Sequence, residues 1–203
     1  MNITDAFLTP NEYSRPAKRL ERVMAIVMHW TANPKVSALN NRNVFELRKN
    51  GKDGYGSTHY IIGFEGEIIR CIPDDEIACH CGTDKLDPES RRIYTDWARK
   101  HFGYYAQNPD KTSPNYATLG IELCPLDSAG HFANATIASA VELCADLIKR
   151  YGLVVDDITT SLAGKTARSS GRIIPICLKR LRQVSRTIWQ GGTYDNTGGN
   201  ETE

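Results

Sequence analysis

Three short stretches of the 203-residue chain place reactive side chains among apolar ones. The first is Ala25-Ile26-Val27-Met28-His29-Trp30-Thr31, an apolar run that ends in a histidine. Such a run is what a strand covered on both faces requires. A histidine where the strand runs out is placed to bind something at the end of the sheet. The second is Leu119-Gly120-Ile121-Glu122-Leu123-Cys124. A carboxylate there is costly to bury unless it is paired or used, and a glutamate near a metal-bound water is suited to general-base work. Strand alternation puts Gly120, Glu122 and Cys124 on one face, opposite Ile121 and Leu123. That is compatible with a carboxylate turned into a site or out to solvent. The third stretch is Cys79-His80-Cys81. On an extended strand its cysteines point one way and its histidine the other, so the trio is not expected to close on one tetrahedral ion. His80, beside Cys81-Gly82, is expected to face a cleft on the substrate side. His59, ahead of Tyr-Ile-Ile, is expected to be structural, and His101 and His131, in polar stretches, to be exposed.

Composition bounds what these residues can belong to. With 40% apolar and 24% charged residues the chain reads as one ordinary soluble domain with a real core. A net charge of +1 gives no reason to expect a nucleic-acid partner. No apolar run reaches the length of a membrane span, and the opening MNITDAFLTPNEYSRP lacks the basic-then-apolar pattern of a signal peptide. Cys71, Cys79, Cys81, Cys124, Cys144 and Cys177 show no disulfide-framework spacing. They are expected to be reduced and mostly buried, as in a protein made in the cytoplasm.

The elements that must position the reactive residues follow from periodicity and punctuation. Residues 1–22, with Pro10 and Pro16, read as an arm lying over the domain. After the His29 strand and a turn at Ala32-Asn33-Pro34, residues 36–49 read as a helix with Leu39, Val44 and Leu47 on its apolar face. Residues 58–64 and 67–72 read as a hairpin turning at Glu65-Gly66. A turn over 73–76 and an extended piece over 77–82 follow. Residues 83–116 are polar and irregular, with a helix expected over 90–101. The Glu122 strand spans 117–124. The clearest helix spans 136–151, burying Val141, Cys144, Leu147 and Ile148, with Gly152 as its C-cap. Beyond Asp157 the texture becomes rich in Ser, Thr, Gly and Arg, and residues 191–203 are expected to be disordered.

The segments IVMHWTANP, STHYIIGFEGEIIRCIPDDEIACHCG, NYATLGIELCP and LCADLIKRYGL, in that order, resemble the zinc-dependent N-acetylmuramoyl-L-alanine amidases of type 2. That family is related to phage lysozyme-amidases and peptidoglycan recognition proteins, and the likeness covers roughly residues 10–155. The resemblance implies an α/β fold, a central mixed β-sheet flanked by helices, with a Zn2+ ion at the bottom of a peptidoglycan groove. It puts the first zinc ligand on His29 and the catalytic glutamate on Glu122; His80, from its place beside Cys81-Gly82, is expected to be a substrate-binding residue of the groove. It implies hydrolysis of the amide bond between N-acetylmuramic acid and L-alanine, by a monomer whose partner is peptidoglycan rather than nucleic acid or membrane. A phage or prophage lysin, made in the cytoplasm without a signal peptide and released through a holin to the wall, fits.

The likeness stops where the family carries a second histidine and a third ligand, in a motif resembling R-H-x-D-x-T-G-K-x-C-P. This chain has no histidine after His131, and residues 156–168 read DDITTSLAGKTAR. Two of three ligands are absent. Read from the third base of each codon, the same stretch can encode R-H-Y-D-I-T-G-x-K-D-C-P, so a frameshift just before Asp156 is expected. The chain then divides into the arm 1–22, an amidase-like domain 23–155 and a divergent tail 156–203, whose basic pattern around Lys179, Arg180, Arg182 and Arg186 is uninformative. The rival readings are a catalytically inactive peptidoglycan binder with an incomplete zinc site and a product left unstable by exposed apolar surface.

Overall fold

Parallel pairing of the two apolar strands governs the architecture. The computed structural model describes residues 1–82, 93–103, 113–160 and 179. Among them are strands β1 (Ile3–Asp5), β2 (Ala25–Trp30), β3 (Tyr60–Ile62), β4 (Ile68–Arg70), β5 (Thr118–Leu123) and β6 (Ile158–Thr159). The helices are α1 (Ala38–Leu47), α2 (Asp96–Phe102) and α3 (Asn134–Tyr151). The strands form one mixed sheet in the order β1-β4-β3-β5-β2-β6. β3 and β4 pair antiparallel as the expected hairpin, and the other neighbours pair parallel. Gly66, at φ 83°, takes the left-handed position in the hairpin connection. Residues expected in a helix over 90–92 and in the tail beyond 160, Lys179 excepted, lie outside the described residues.

The β2–β5 register sorts side chains onto two unlike faces. Ile26 pairs with Leu119, Met28 with Ile121 and His29 with Glu122. Ile26, Met28, Leu119, Ile121 and Leu123 point to α3, whose Ile137, Val141, Leu143, Cys144 and Leu147 complete one continuous core. α3 ends as the sequence predicts, with Gly152 at φ 65° donating to Ile148 O. The opposite face is divided. Ala25 and Val27 pack with Ala98 and Phe102 of α2. Ile61, Ile69, Cys71 and Cys124 pack with Ala38 of α1. β5 lies between β2 and β3, yet its Thr118, Gly120 and Glu122 join neither cluster. A polar seam therefore runs along β5 between two small apolar patches.

Two local expectations change. The arm supplies the edge strand β1, buries Leu8 and clamps Glu76 with the Arg15 guanidinium at 2.7 and 2.8 Å. Helix α1 turns its expected apolar face outward, leaving Leu39, Val44 and Leu47 at 51, 43 and 63% exposure. It docks instead through Ala38 and Asn41, whose side-chain amide donates to Val36 O, Ser37 O and Cys124 Sγ. A specific buried polar anchor overrides an imperfect apolar period. Among the described residues no helix is long and apolar enough to cross a membrane.

Candidate active site

The seam ends in a cluster of donor atoms at the carboxyl ends of β2 and β5. Because the pair is parallel and in register, His29 and Glu122 leave the same face side by side. His80 and Cys81 reach His29 from the segment after Glu76. That segment is bent at Cys79 and Cys81 rather than extended, so alternation does not apply, and the expectation that His80 and its neighbouring cysteine diverge is overturned. Asn115 Oδ1 sets the bend by accepting from the backbone N–H of both His80 (3.0 Å) and Cys81 (2.7 Å). His29 Nε2 then lies 3.1 Å from His80 Nδ1, and Cys81 Sγ lies 3.1 Å from the same nitrogen. One ligand atom from each of the three residues lies within 4.8 Å of the others. Cys79 is not part of this cluster; its backbone N–H donates to Ser57 Oγ at 2.8 Å. Gly120 makes room: a Cβ there would sit 2.8 Å from His80 Cγ.

Hydrogen bonds fix which ring nitrogens carry protons. Thr118 donates its hydroxyl hydrogen to Pro114 O at 2.9 Å. Towards His80 Nε2, 3.1 Å away, it can only accept. Nε2 therefore carries the hydrogen, and the Nδ1 lone pair faces His29 and Cys81. His59 is saturated by backbone, accepting from Gly120 N–H at Nδ1 and donating to Glu76 O from Nε2, both at 2.9 Å. It is structural, as its sequence context suggests. His131 is exposed and paired with Asp127 at 2.6 Å. His101 departs from expectation: it is partly buried, stacks on Trp97 and hydrogen-bonds Met24 O at 3.0 Å.

Burial sets the charge states. It lowers the His29 imidazole to about 4 and drives His80 well below the usual histidine range, with the His29 and His59 rings adding to the shift. Both imidazoles are neutral at neutral pH. Burial pushes the Cys81 thiol up and raises the Glu122 carboxyl to about 8. Glu122 Oε2 is buried without a hydrogen-bond partner, a costly state for a group with no function. Two imidazoles and a thiol form a donor set suited to zinc, and three protein ligands leave a position open for water or substrate. The donor chemistry and the unpartnered carboxyl oxygen both fit a metal at this place. The sequence singles out His29, Glu122 and His80, and the structure brings His29 and His80 together with Cys81 and sets Glu122 beside His29 on the next strand. The sequence does not anticipate that Cys81 joins the cluster, or that Thr118, Gly120 and Asn115 surround it; only the adjacency of His80 and Cys81 hints at it.

The family profile described as N-acetylmuramoyl-L-alanine amidase matches residues 19–173. The chain belongs to this amidase family. A probable N-acetylmuramoyl-L-alanine amidase of Bacillus licheniformis is 35% identical over 158 residues, covering 78% of this chain and 39% of that protein. The amidase BlyA of Bacillus subtilis strain 168 is 29% identical over 156 residues, covering 76% of this chain and 38% of its own length. The chain thus spans about two fifths of the length of the curated relatives it matches. The catalytic domain of XlyA superposes with a TM-score of 0.56 at 20% identity, covering 94% of this chain and 99% of that one. The Staphylococcus aureus hydrolase AmiA, solved with its ligand, gives 0.57 at 15% identity, covering 94 and 86%. These superpositions establish the amidase fold, a mixed sheet flanked by helices.

Proposed function

We propose that this amidase-family chain hydrolyses the amide bond between N-acetylmuramic acid and L-alanine in peptidoglycan, with Glu122 as general base and His29 as a ligand of a catalytic zinc. The observation that carries the reading is the buried, unpartnered Glu122 oxygen, on the strand position directly opposite His29. A bound zinc would polarise the lactyl-amide carbonyl and acidify a water. A cation beside Glu122 also favours its carboxylate over the neutral acid that burial alone selects. Glu122 takes a proton from the attacking water as its oxygen bonds to the carbonyl carbon. The C–N bond then breaks, and Glu122 returns the proton to the departing alanine nitrogen. The products are a lactyl carboxylic acid and a free L-alanine amine.

Digestion of purified Gram-positive walls tests this. The zinc-loaded chain is expected to release soluble fragments bearing new N-terminal alanine amines, with no new reducing sugar ends. New reducing ends without new amines would make the activity a glycosidase and overturn the reading. Wall binding with no release would leave an inactive peptidoglycan binder.

A further inference from the structure

The geometry points to a metal site completed by His80 and Cys81 together with His29, and therefore independent of any ligand after residue 160. This rests on the reading of the cleft as metal-dependent and names the side chains that hold the ion. It replaces the groove role that the sequence suggests for His80.

Three potential ligand atoms crowd together at one histidine lone pair. The Thr118 hydroxyl, committed to Pro114 O, leaves His80 Nδ1 as a single lone pair. Two neighbours approach that lone pair at 3.1 Å, the His29 Nε2 and the Cys81 sulfur. As a metal-free trio the arrangement offers up to two hydrogens to one acceptor. A divalent cation uses the same three atoms differently. It takes the His80 lone pair, takes the His29 lone pair once that ring's hydrogen moves to Nδ1, and takes the Cys81 thiolate once its proton passes to solvent. One charge of the ion is then neutralised inside a site that otherwise excludes charge.

The surroundings are built as a metal site's support must be. Thr118 orients the His80 ring and sets its tautomer, the usual task of a residue behind a ligating histidine. Asn115 holds both ligand backbones through one oxygen. The absence of a side chain at Gly120 seats the His80 ring. Sulfur among the donors favours zinc over magnesium or calcium. The rival thiol is Cys177, the one cysteine beyond residue 160.

The test is metal binding by the full chain, with no turnover required. Chelator-treated protein is titrated with Zn2+ and then with Co2+, whose thiolate charge-transfer absorption reports a sulfur ligand. The expected result is one equivalent bound, a charge-transfer band abolished by Cys81→Ser and preserved in Cys177→Ser, and affinity at least 10-fold weaker in His80→Gln. Thr118→Val, which keeps the shape and all three ligands, is expected to keep the band and to weaken binding by about 10–100-fold; that result holds even if Cys81→Ser misfolds. No bound metal in the wild-type chain, or a band lost in Cys177→Ser and kept in Cys81→Ser, would overturn the assignment. A chain that shows the Cys81-dependent band and releases nothing from walls would keep the metal site and overturn only the proposed hydrolysis.

Discussion

Two polar clusters lie at opposite ends of the strands and treat their side chains in opposite ways. At one end Asp74 accepts from the Tyr60 hydroxyl, from Tyr151 Oη at 3.0 Å and from Arg150 Nη1 at 2.7 Å, while Arg150 also bonds Asp146. Burial and the neighbouring Asp74 keep the Tyr60 phenol firmly protonated. Both Asp74 oxygens are occupied, although Asp74, Arg150 and Tyr151 also line a cleft of about 760 Å³. At the other end Glu122 Oε2 has no partner, and one histidine lone pair meets two would-be donors. Completeness of the bonding separates the two ends. A closed network is architecture, whereas an open one is a place prepared for something that arrives later.

The comparison breaks most visibly at Glu122. Glu122→Gln is expected to reduce wall hydrolysis by about 10²–10⁴-fold, the usual contribution of a general base, with a melting temperature no lower than that of the parent. Parallel measurement of fragment release and thermal unfolding checks it; a Gln variant that hydrolyses walls normally would place Glu122 with the structural groups. Gly120→Ala comes next. Its Cβ would collide with the His80 ring, so metal affinity is expected to fall about 10-fold or more, read by competition with a coloured chelator, and Gly120→Ser is expected to behave alike.

Asp74→Asn should act the other way round. It leaves one acceptor oxygen where there were two, so its NH2 must face either the Tyr60 hydroxyl or the Tyr151–Arg150 pair; the change is expected to cost about 1–3 kcal/mol of stability by chemical denaturation, with metal affinity unchanged. The smallest effect is expected at Glu46, another closed carboxylate. Burial resists its charge, but bonds from the Thr9 hydroxyl and amide, from Lys49 and from Arg42 outweigh this and lower it to about 2. Its stabilisation is complete above the ordinary value of 4.5 and fades as pH falls towards about 2. Glu46→Gln is therefore expected to cost roughly 0.2–1 kcal/mol at neutral pH, with the difference from the parent vanishing near the acid end of a pH series of unfolding curves.

What could be read from the sequence follows the range of the forces involved. β2, β5, the hairpin and α3 announce themselves because alternation, Gly66 and Gly152 act within a few residues of the structure they determine. Glu122 stands out for the same reason: a charge inside an apolar strand is a local contradiction. His80 and Cys81 mislead, since their bend depends on Asn115, thirty-odd residues further on, and no local pattern carries that dependence. α1 misleads similarly, because Asn41 docks the helix onto Cys124 of a distant strand. The tautomer of His80 is more remote still, requiring Pro114 to accept from Thr118 before Thr118 can accept from the ring.

The split of the second sheet face has a bearing on how such a domain changes over generations. α3 and one row of strand residues form an unbroken layer, while α1 and α2 each cover a small separate patch. A substitution beneath α1 need not be answered by one beneath α2, because the β5 seam lies between them. Walls of the cleft can thus be exchanged one at a time over a fixed floor. Descendants of one ancestor are free to reshape the two patches separately while keeping the strand pair that carries His29 and Glu122.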